Sequence, residues 1–299
     1  MDDYAPPPTG AQLQALSAAL GADVSYGYRI EGGLGGTIDV LTAGDRKVVL
    51  RRFWLPEPGE VSPAESEDRA LALAARNGIP APEPIWVDRQ DLFPERGIVI
   101  SFVDGEVNLR PEDPLDWAAQ LAAVLADIHR IVPDEKDAEI FPAIDDDDGH
   151  VYFDSVVEHR LGSAVLEARS VRKAEMVDAE RTYVHHDFWP GNTLWIGERL
   201  NAVIDWEGGA VGDPALDIAY CSFDMRMLGL EDAADHFVAT YKDVTGRDLP
   251  NFEFWYLSAL CRPMPDIAMW IPSWHHAGVE ITPNEARRRH EELIRRALG

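Results

Sequence analysis

Between Tyr183 and Tyr220 the chain reads YVHHDFWPGNTLWIGERLNAVIDWEGGAVGDPALDIAY. His185, Asp187, Asn192, Asp205, Asp213 and Asp217 stand there among apolar, strand-like runs. Polar groups so placed are costly unless something uses them. Asp187 and Asn192 are five residues apart, and Asp205 follows Asn192 by thirteen. Pro190 and Gly191 set a turn that folds the polar residues together. NTLWI and NAVID make a predicted hairpin turned at Gly197-Glu198-Arg199, with Asp205 closing its second strand beside Asn192. An amide oxygen and a carboxylate held together are hard ligands suited to Mg²⁺. Asp187, one loop away, is placed to take a proton from a substrate hydroxyl. That is a phosphoryl-transfer layout, in which metal neutralises phosphate charge and a carboxylate orients the nucleophile.

The elements that must position these groups fall into two halves. Residues 1–104 read as a strand-rich lobe behind a disordered leader over 1–10, and residues 105–299 as a mostly helical lobe. In the first, Gln12 to Leu20 is a short predicted helix. Val24 to Trp54 is a run of strands with glycine punctuation. A helix opens at Ser62, with Pro63 first and Glu65 completing a capping box, and stops at Gly78. PIWVD and GIVISFV are two more strands. After Glu106 the texture turns helical: Leu115, Ala118, Leu121, Ala122, Leu125 and Ile128 recur at helical spacing. Further helices are predicted over 151–169, 213–228, 231–245 and 251–274, the last interrupted by proline, and after a Thr282 cap. The fold class is α+β.

The spacing and order of these motifs resemble the aminoglycoside phosphotransferase family, small-molecule relatives of protein kinases. Its pattern H-x-D-x-x-x-x-N is met by His185, Asp187 and Asn192. VIDWE is similar to its metal-binding segment and puts Asp205 where kinases carry D-F-G. GDPALDIA is similar to its next motif. The resemblance implies a kinase-like two-lobed fold, with a small antiparallel sheet and one main helix before a larger helical lobe. It implies ATP or GTP with Mg²⁺ as cofactors, Asp187 as catalytic base, and Asn192 and Asp205 as metal ligands. By it His185 steadies the loop, and Asp213 and Asp217 organise it from the following helix. Gly-Asp-Pro is equally a helix start, which leaves Asp213 open.

The resemblance also asks for a cation on the nucleotide phosphates. KVVLRRF supplies it: alternation puts Lys47, Val49, Arg51 and Phe53 on one face, and Val48, Leu50, Arg52 and Trp54 on the other. Aligning VVLR with V-A-I-K puts Arg51 at the lysine position and Val49 under the adenine. A slip in register would move the role to Arg52. Glu67 shares a helix face with Ala70, Leu71 and Ala74, so an ion pair with Arg51 is expected. EGGLGGTIDV lacks the full kinase glycine spacing. Gly35 and Gly36 either cover phosphates with backbone N–H groups or make a strand turn, and Thr37 would add a hydroxyl. Backbone around Ser101 and Val103 is expected along the adenine edge.

The formal net charge of −26 excludes the basic footprint that a nucleic-acid partner requires. It permits a cationic small-molecule hydroxyl acceptor, and solubility is the plainer reading. Hydrophobic residues make up 46% of the chain, an ordinary globular share, with no run long enough for a membrane span. Cys221 and Cys261 lie in no paired arrangement, and no signal peptide is visible, so a cytoplasmic location is expected. Trp255, Trp270 and Trp274 either wall an acceptor pocket or pack the helical lobe. The reading is a small-molecule O-phosphotransferase acting on an aminoglycoside- or macrolide-type antibiotic. Its rivals are a metabolite kinase for a choline-, homoserine- or sugar-like acceptor, a nucleotide-binding module with little transfer, and a metal hydrolase using His185, His186 and Asp187. Oligomeric state is not legible.

Overall fold

Glycine-punctuated runs of β-branched and aromatic residues form Val24–Ile30 (β1), Gly36–Ala43 (β2), Arg46–Phe53 (β3), Pro84–Val87 (β4) and Gly97–Ser101 (β5). They make one antiparallel sheet in the order β1-β2-β3-β5-β4. The computed structural model describes residues 5–30, 36–53, 62–94, 96–134, 137, 140–146 and 149–299. The chain divides into two units, Met1–Asp104 with Ala202–Gly209, and Gly105–Asn201 with Ala210–Gly299.

In the first unit, alternation along β3 sorts its side chains by face. Val48 and Leu50 join Leu16, Leu41, Phe93 and Val99 in a small core. Leu16 belongs to α1, Gly10–Leu20, which Thr9 and Gln12 close with a reciprocal capping box. Residues 5–10, expected within the leader, are among the described residues. The Ala5 and Pro6 carbonyls accept from Arg29 and Arg52, because both guanidiniums point their spare N–H groups at this strip of backbone. Residues 1–4 lie outside the described residues.

The other face of β3 carries Arg51 toward α2, Pro63–Arg76, whose Glu67, Ala70, Leu71 and Ala74 are buried. The box expected between Ser62 and Glu65 does not form. The Ser62 hydroxyl is buried without a partner among the described residues, and the helix starts instead on Pro63, with Glu65 and Ser66 N–H donating to the Ser62 carbonyl. The 202–209 segment completes this unit. Val203 N–H donates to the Pro80 carbonyl at 2.8 Å, and Ser66 Oγ donates to the Glu207 carbonyl at 2.8 Å.

The second unit is built on helices: Pro114–Ile128 (α3), Phe153–Glu158 (α4), Gly162–Glu175 (α5), Ala215–Met227 (α6), Glu231–Thr245 (α7), Phe252–Cys261 (α8), Ile271–His276 (α9) and Pro283–Leu298 (α10). The single helix expected over 151–169 is two. The chain turns at His159–Leu161, and Gly162 packs so tightly on the Val156 carbonyl that an added Cβ would sit 1.8 Å from its oxygen. α3 packs on α7, and α6 on α7 and α8. Trp255, Phe254, Tyr220, Phe223, Leu260 and Trp274 fill the core, so Trp255 and Trp274 are packing residues. Both cysteines are buried thiols.

Two small ribbons remain. Thr182–Val184 (β6) pairs antiparallel with Ala210–Gly212 (β9), and Thr193–Ile196 (β7) with Arg199–Val203 (β8). β6 and β9 together bring His185, just past one strand, near the chain that leads into α6. Among the described residues no helix is long and apolar enough to cross a membrane.

Candidate active site

In the first unit the chemistry gathers on Arg51. β3 carries Arg51 on one of its faces, next to Phe53, and α2 presents Glu67 from an apolar helix face. Arg51 Nη1 donates to Glu67, and Nη2 donates to Asp205 and, at 2.8 Å, to Glu207. Asp205 does not close β8 as expected. The strand ends at Val203, Asp205 takes a left-handed φ of 69°, and a 3-10 turn over Trp206–Gly208 follows. That turn brings Glu207, which the sequence reading passed over, onto the same guanidinium. Arg52 is committed elsewhere. It pairs with Asp39 at 2.8 Å on the opposite face, so the slipped register is not the one adopted.

The charges here are unbalanced. Three carboxylates face one guanidinium, leaving a surplus of two negative charges if all are ionised. Burial pushes the Glu67 carboxyl up, against the pull of Arg51. The neighbouring acids, above all Glu67, raise Arg51 in spite of its own burial. Asp205 and Glu207 remain about one-third exposed. Hard carboxylate oxygens with an excess of two negative charges fit a divalent ion such as Mg²⁺. Among the described residues no three His, Cys, Asp or Glu side chains cluster to hold a metal alone. Such an ion would draw further oxygens from a substrate phosphate, as Mg²⁺ commonly does.

The other nucleotide-side positions are mixed. Val49 is buried, paired in register with Val40 and Ile100. Gly36 lies against β3, where a Cβ would meet the Arg52 carbonyl oxygen at 2.0 Å. Gly35 lies outside the described residues. Thr37 is opposite Arg52 in register, so it takes the face away from Arg51, and its hydroxyl is buried without a partner among the described residues. It does not join Arg51. Ser101 N–H already donates to the Glu83 carbonyl, and its Oγ accepts from Glu83 N–H. That removes Ser101 as a free backbone donor. Val103, past the strand end, is half-buried.

In the second unit the loop after β6 is gripped from α6. Asp217 accepts from His185 N–H at 2.7 Å and His186 N–H at 2.9 Å, and bonds His129 Nε2 at 3.1 Å. His129 in turn meets the Tyr241 hydroxyl at 2.8 Å. Burial acts to raise Asp217, but these partners hold its carboxyl below the ordinary range. His186 takes a left-handed φ of 71°, a strained state that this double grip sustains. His185 is fully buried and meets Phe188 edge-on. Asp213 does not reach the loop. It caps α6 through Ala215 N–H and accepts from Asn251 at 2.7 Å, so its helix-start role is the one realised.

Asp187 is held on both oxygens. Asn192 Nδ2 donates to Oδ2 at 2.9 Å, and Arg262 Nη2 to Oδ1 at 3.0 Å. Burial acts to raise the Asp187 carboxyl, but Arg262, then His150 and His185, outweigh it and hold the group below its ordinary value. With its amide nitrogen spent on Asp187, Asn192 keeps Oδ1 as a free hard donor among the described residues, again suited to Mg²⁺. Arg262, at the end of α8, lies over the Tyr220 ring at 4.4 Å and nearer the edge of contact with Trp270 at 5.7 Å. Asp224, one turn beyond Tyr220, is 4% exposed, and its carboxylate takes no hydrogen bond or ion pair among the described residues. Burial pushes it up to about 7, Arg262 pulling it down and Asp187 pushing it up. Arg262, Asp224 and His129 escaped the sequence reading. The signal for Arg262 was a lone cation inside the apolar run SALCRPMP, which needs a buried partner.

The second unit offers a positioned carboxylate and a hard oxygen donor, and the first a guanidinium among acids, each a part that phosphoryl transfer uses. A family model described as the phosphotransferase enzyme family matches residues 29–255, and the chain belongs to that family. Its fold is kinase-like and α+β. The homoserine kinase of Methylocella silvestris is 27% identical over 163 residues, which cover 50% of this chain and 49% of that protein. The chain thus spans about half the length of that curated relative. Among solved structures, the macrolide 2'-phosphotransferase of Brachybacterium faecium is 22% identical, with a TM-score of 0.62 over 97% of this chain and 98% of that one. A spectinomycin phosphotransferase solved with ADP and spectinomycin is 14% identical, with a TM-score of 0.66 and 98% of each chain covered. An aminoglycoside phosphotransferase mutant solved with ADP and hygromycin B is 17% identical, with a TM-score of 0.62 over 95% and 97%. These likenesses carry the fold.

Proposed function

We propose that the protein transfers the γ-phosphoryl group of ATP, with Mg²⁺, to a hydroxyl of a cationic small molecule. The observation that carries this is the Asp187 carboxylate, fixed on both oxygens beside Asn192 in a loop pinned by Asp217. Asp187 orients the acceptor hydroxyl and takes its proton as the new P–O bond forms. Arg51 binds phosphate oxygens, and Glu67 holds Arg51 in place. Asp205 in the first unit and Asn192 in the second each offer an oxygen suited to Mg²⁺, which when bound would neutralise charge on the phosphates. ADP in two of the similar structures supports ATP as donor.

The positive charge on the acceptor follows from two features. The chain carries −26, and Asp224 is a buried acid, in no hydrogen bond or ion pair among the described residues, on which the charges of Arg262 and Asp187 bear. Antibiotics such as spectinomycin and hygromycin B, acted on by relatives of the same fold, are acceptors of this kind. A metabolite acceptor is the second reading, supported by the homoserine kinase match.

The test is ATP consumption with Mg²⁺ across spectinomycin, hygromycin B, a macrolide, L-homoserine and choline. Asp187→Asn is expected to lower kcat by about 10²–10⁴-fold with little change in ATP affinity. Asp205→Ala is expected to abolish the Mg²⁺ dependence of nucleotide binding. A wild type that binds ATP but phosphorylates none of these would favour a binding module instead.

A further inference from the structure

We infer that Arg262 is the positioning residue of the Asp187 carboxylate, supplying from the end of α8 the cation that the loop itself lacks. The inference rests on the phosphoryl transfer proposed above. Residues 185–192, HHDFWPGN, contain no lysine or arginine. Asn192 alone would leave the Asp187 carboxylate free to swing about one contact. Arg262 adds a second on the other oxygen, and two donors from separate elements fix the plane of the group.

Arg262 is itself held. Its side chain is 14% exposed and stacks on Tyr220. A flat, always-charged guanidinium is the side chain that can stack and donate at once, which lysine cannot reproduce. Tyr220 lies three residues beyond Asp217 on α6, and Asp224 seven beyond it, so the three share one helix face. One helix face therefore secures the loop backbone through Asp217 and the reacting carboxylate through Tyr220 and Arg262. Asp224 bears on Arg262 through its charge, after Asp187 and Tyr220, and makes no ion pair with it among the described residues. A carboxylate fixed in this way meets an acceptor hydroxyl without first being ordered, and small misplacements of such groups are costly in rate.

The test uses the full chain and whichever of the five acceptors named above consumes ATP. Arg262→Met is expected to lower kcat by about 10²-fold while the KM for ATP moves by less than about threefold. Arg262→Lys is expected to fall between, since it restores charge without the stack. In an Asp187→Asn background, Arg262→Met is expected to cost no more than about twofold, because it acts through Asp187. If Arg262→Met misfolds by near-UV circular dichroism, Arg262→Met with Asp224→Asn relieves the stranded acid and takes its place. A kcat within about twofold of wild type, an equal loss with and without Asp187, or a loss confined to the KM for ATP would overturn the inference. Transfer by the wild type with no effect at Arg262 defeats this inference alone. A wild type that transfers to none of the acceptors defeats it together with the proposed function.

Discussion

Arg51 serves Glu67, Asp205 and Glu207 together, and at the scale of single residues this makes it the costliest group to remove. Arg51→Met would strand Glu67, which is 1% exposed, and is expected to destabilise the fold by about 3–5 kcal/mol in urea denaturation. Adding Glu67→Met should recover part of that loss, because no buried charge would then be left alone. The Arg51 and Glu67 pair was legible, since strand alternation and helix periodicity each aim one charge inward. Glu207 was not, because the left-handed turn at Asp205 re-aims the next residues and leaves no mark on hydropathy. The face that Thr37 takes follows from cross-strand register, which a single strand does not reveal.

Among the elements, α6 does the most to shape the candidate site. Its first turn holds the loop amides, its second supports Arg262, and its third carries Asp224. Asp217→Ala would leave two buried amides and His129 without their acceptor, a loss of about 2–4 kcal/mol. Hydrogen exchange at the His185 and His186 amides is the direct check, and both should speed up. In the sheet, Gly36→Ala is expected to part β2 from β3 locally, because the methyl would collide with the Arg52 carbonyl. A stability unchanged by that substitution would contradict the close approach. A helix with a strong stop signal read well in advance, as with Gly78 after α2. The break between α4 and α5 did not, because a tight backbone approach at Gly162 set it rather than the hydropathy period.

For the whole molecule, acidity and pH dependence are the accessible readouts. A chain of −26 repels itself, so moderate salt should raise its melting temperature, while the KM of a cationic acceptor should also rise with salt. His290 gives a signed pH effect. It is buried, bonds the Leu260 carbonyl at 2.8 Å, and burial lowers it to about 4, with His159, Glu291 and Asp266 nearby. Between the ordinary histidine value near 6.5 and pH 4, the unfolded chain binds the proton and the folded chain does not. Stability from this group is therefore present above pH 6.5 and lost on acidification, by up to about 3 kcal/mol. The advantage of wild type over His290→Gln in urea should shrink from pH 7 to pH 4.

The course of the backbone has a further consequence, for genetic recombination. Residues 202–209 belong with the first unit although they are encoded after most of the second begins. A chimera made with one crossover near residue 104 would pair Arg51 from one parent with Asp205 and Glu207 from the other. Exchanges that carry codons 202–209 along with the first unit keep those partners, and the Val203 bond to Pro80, from a single lineage.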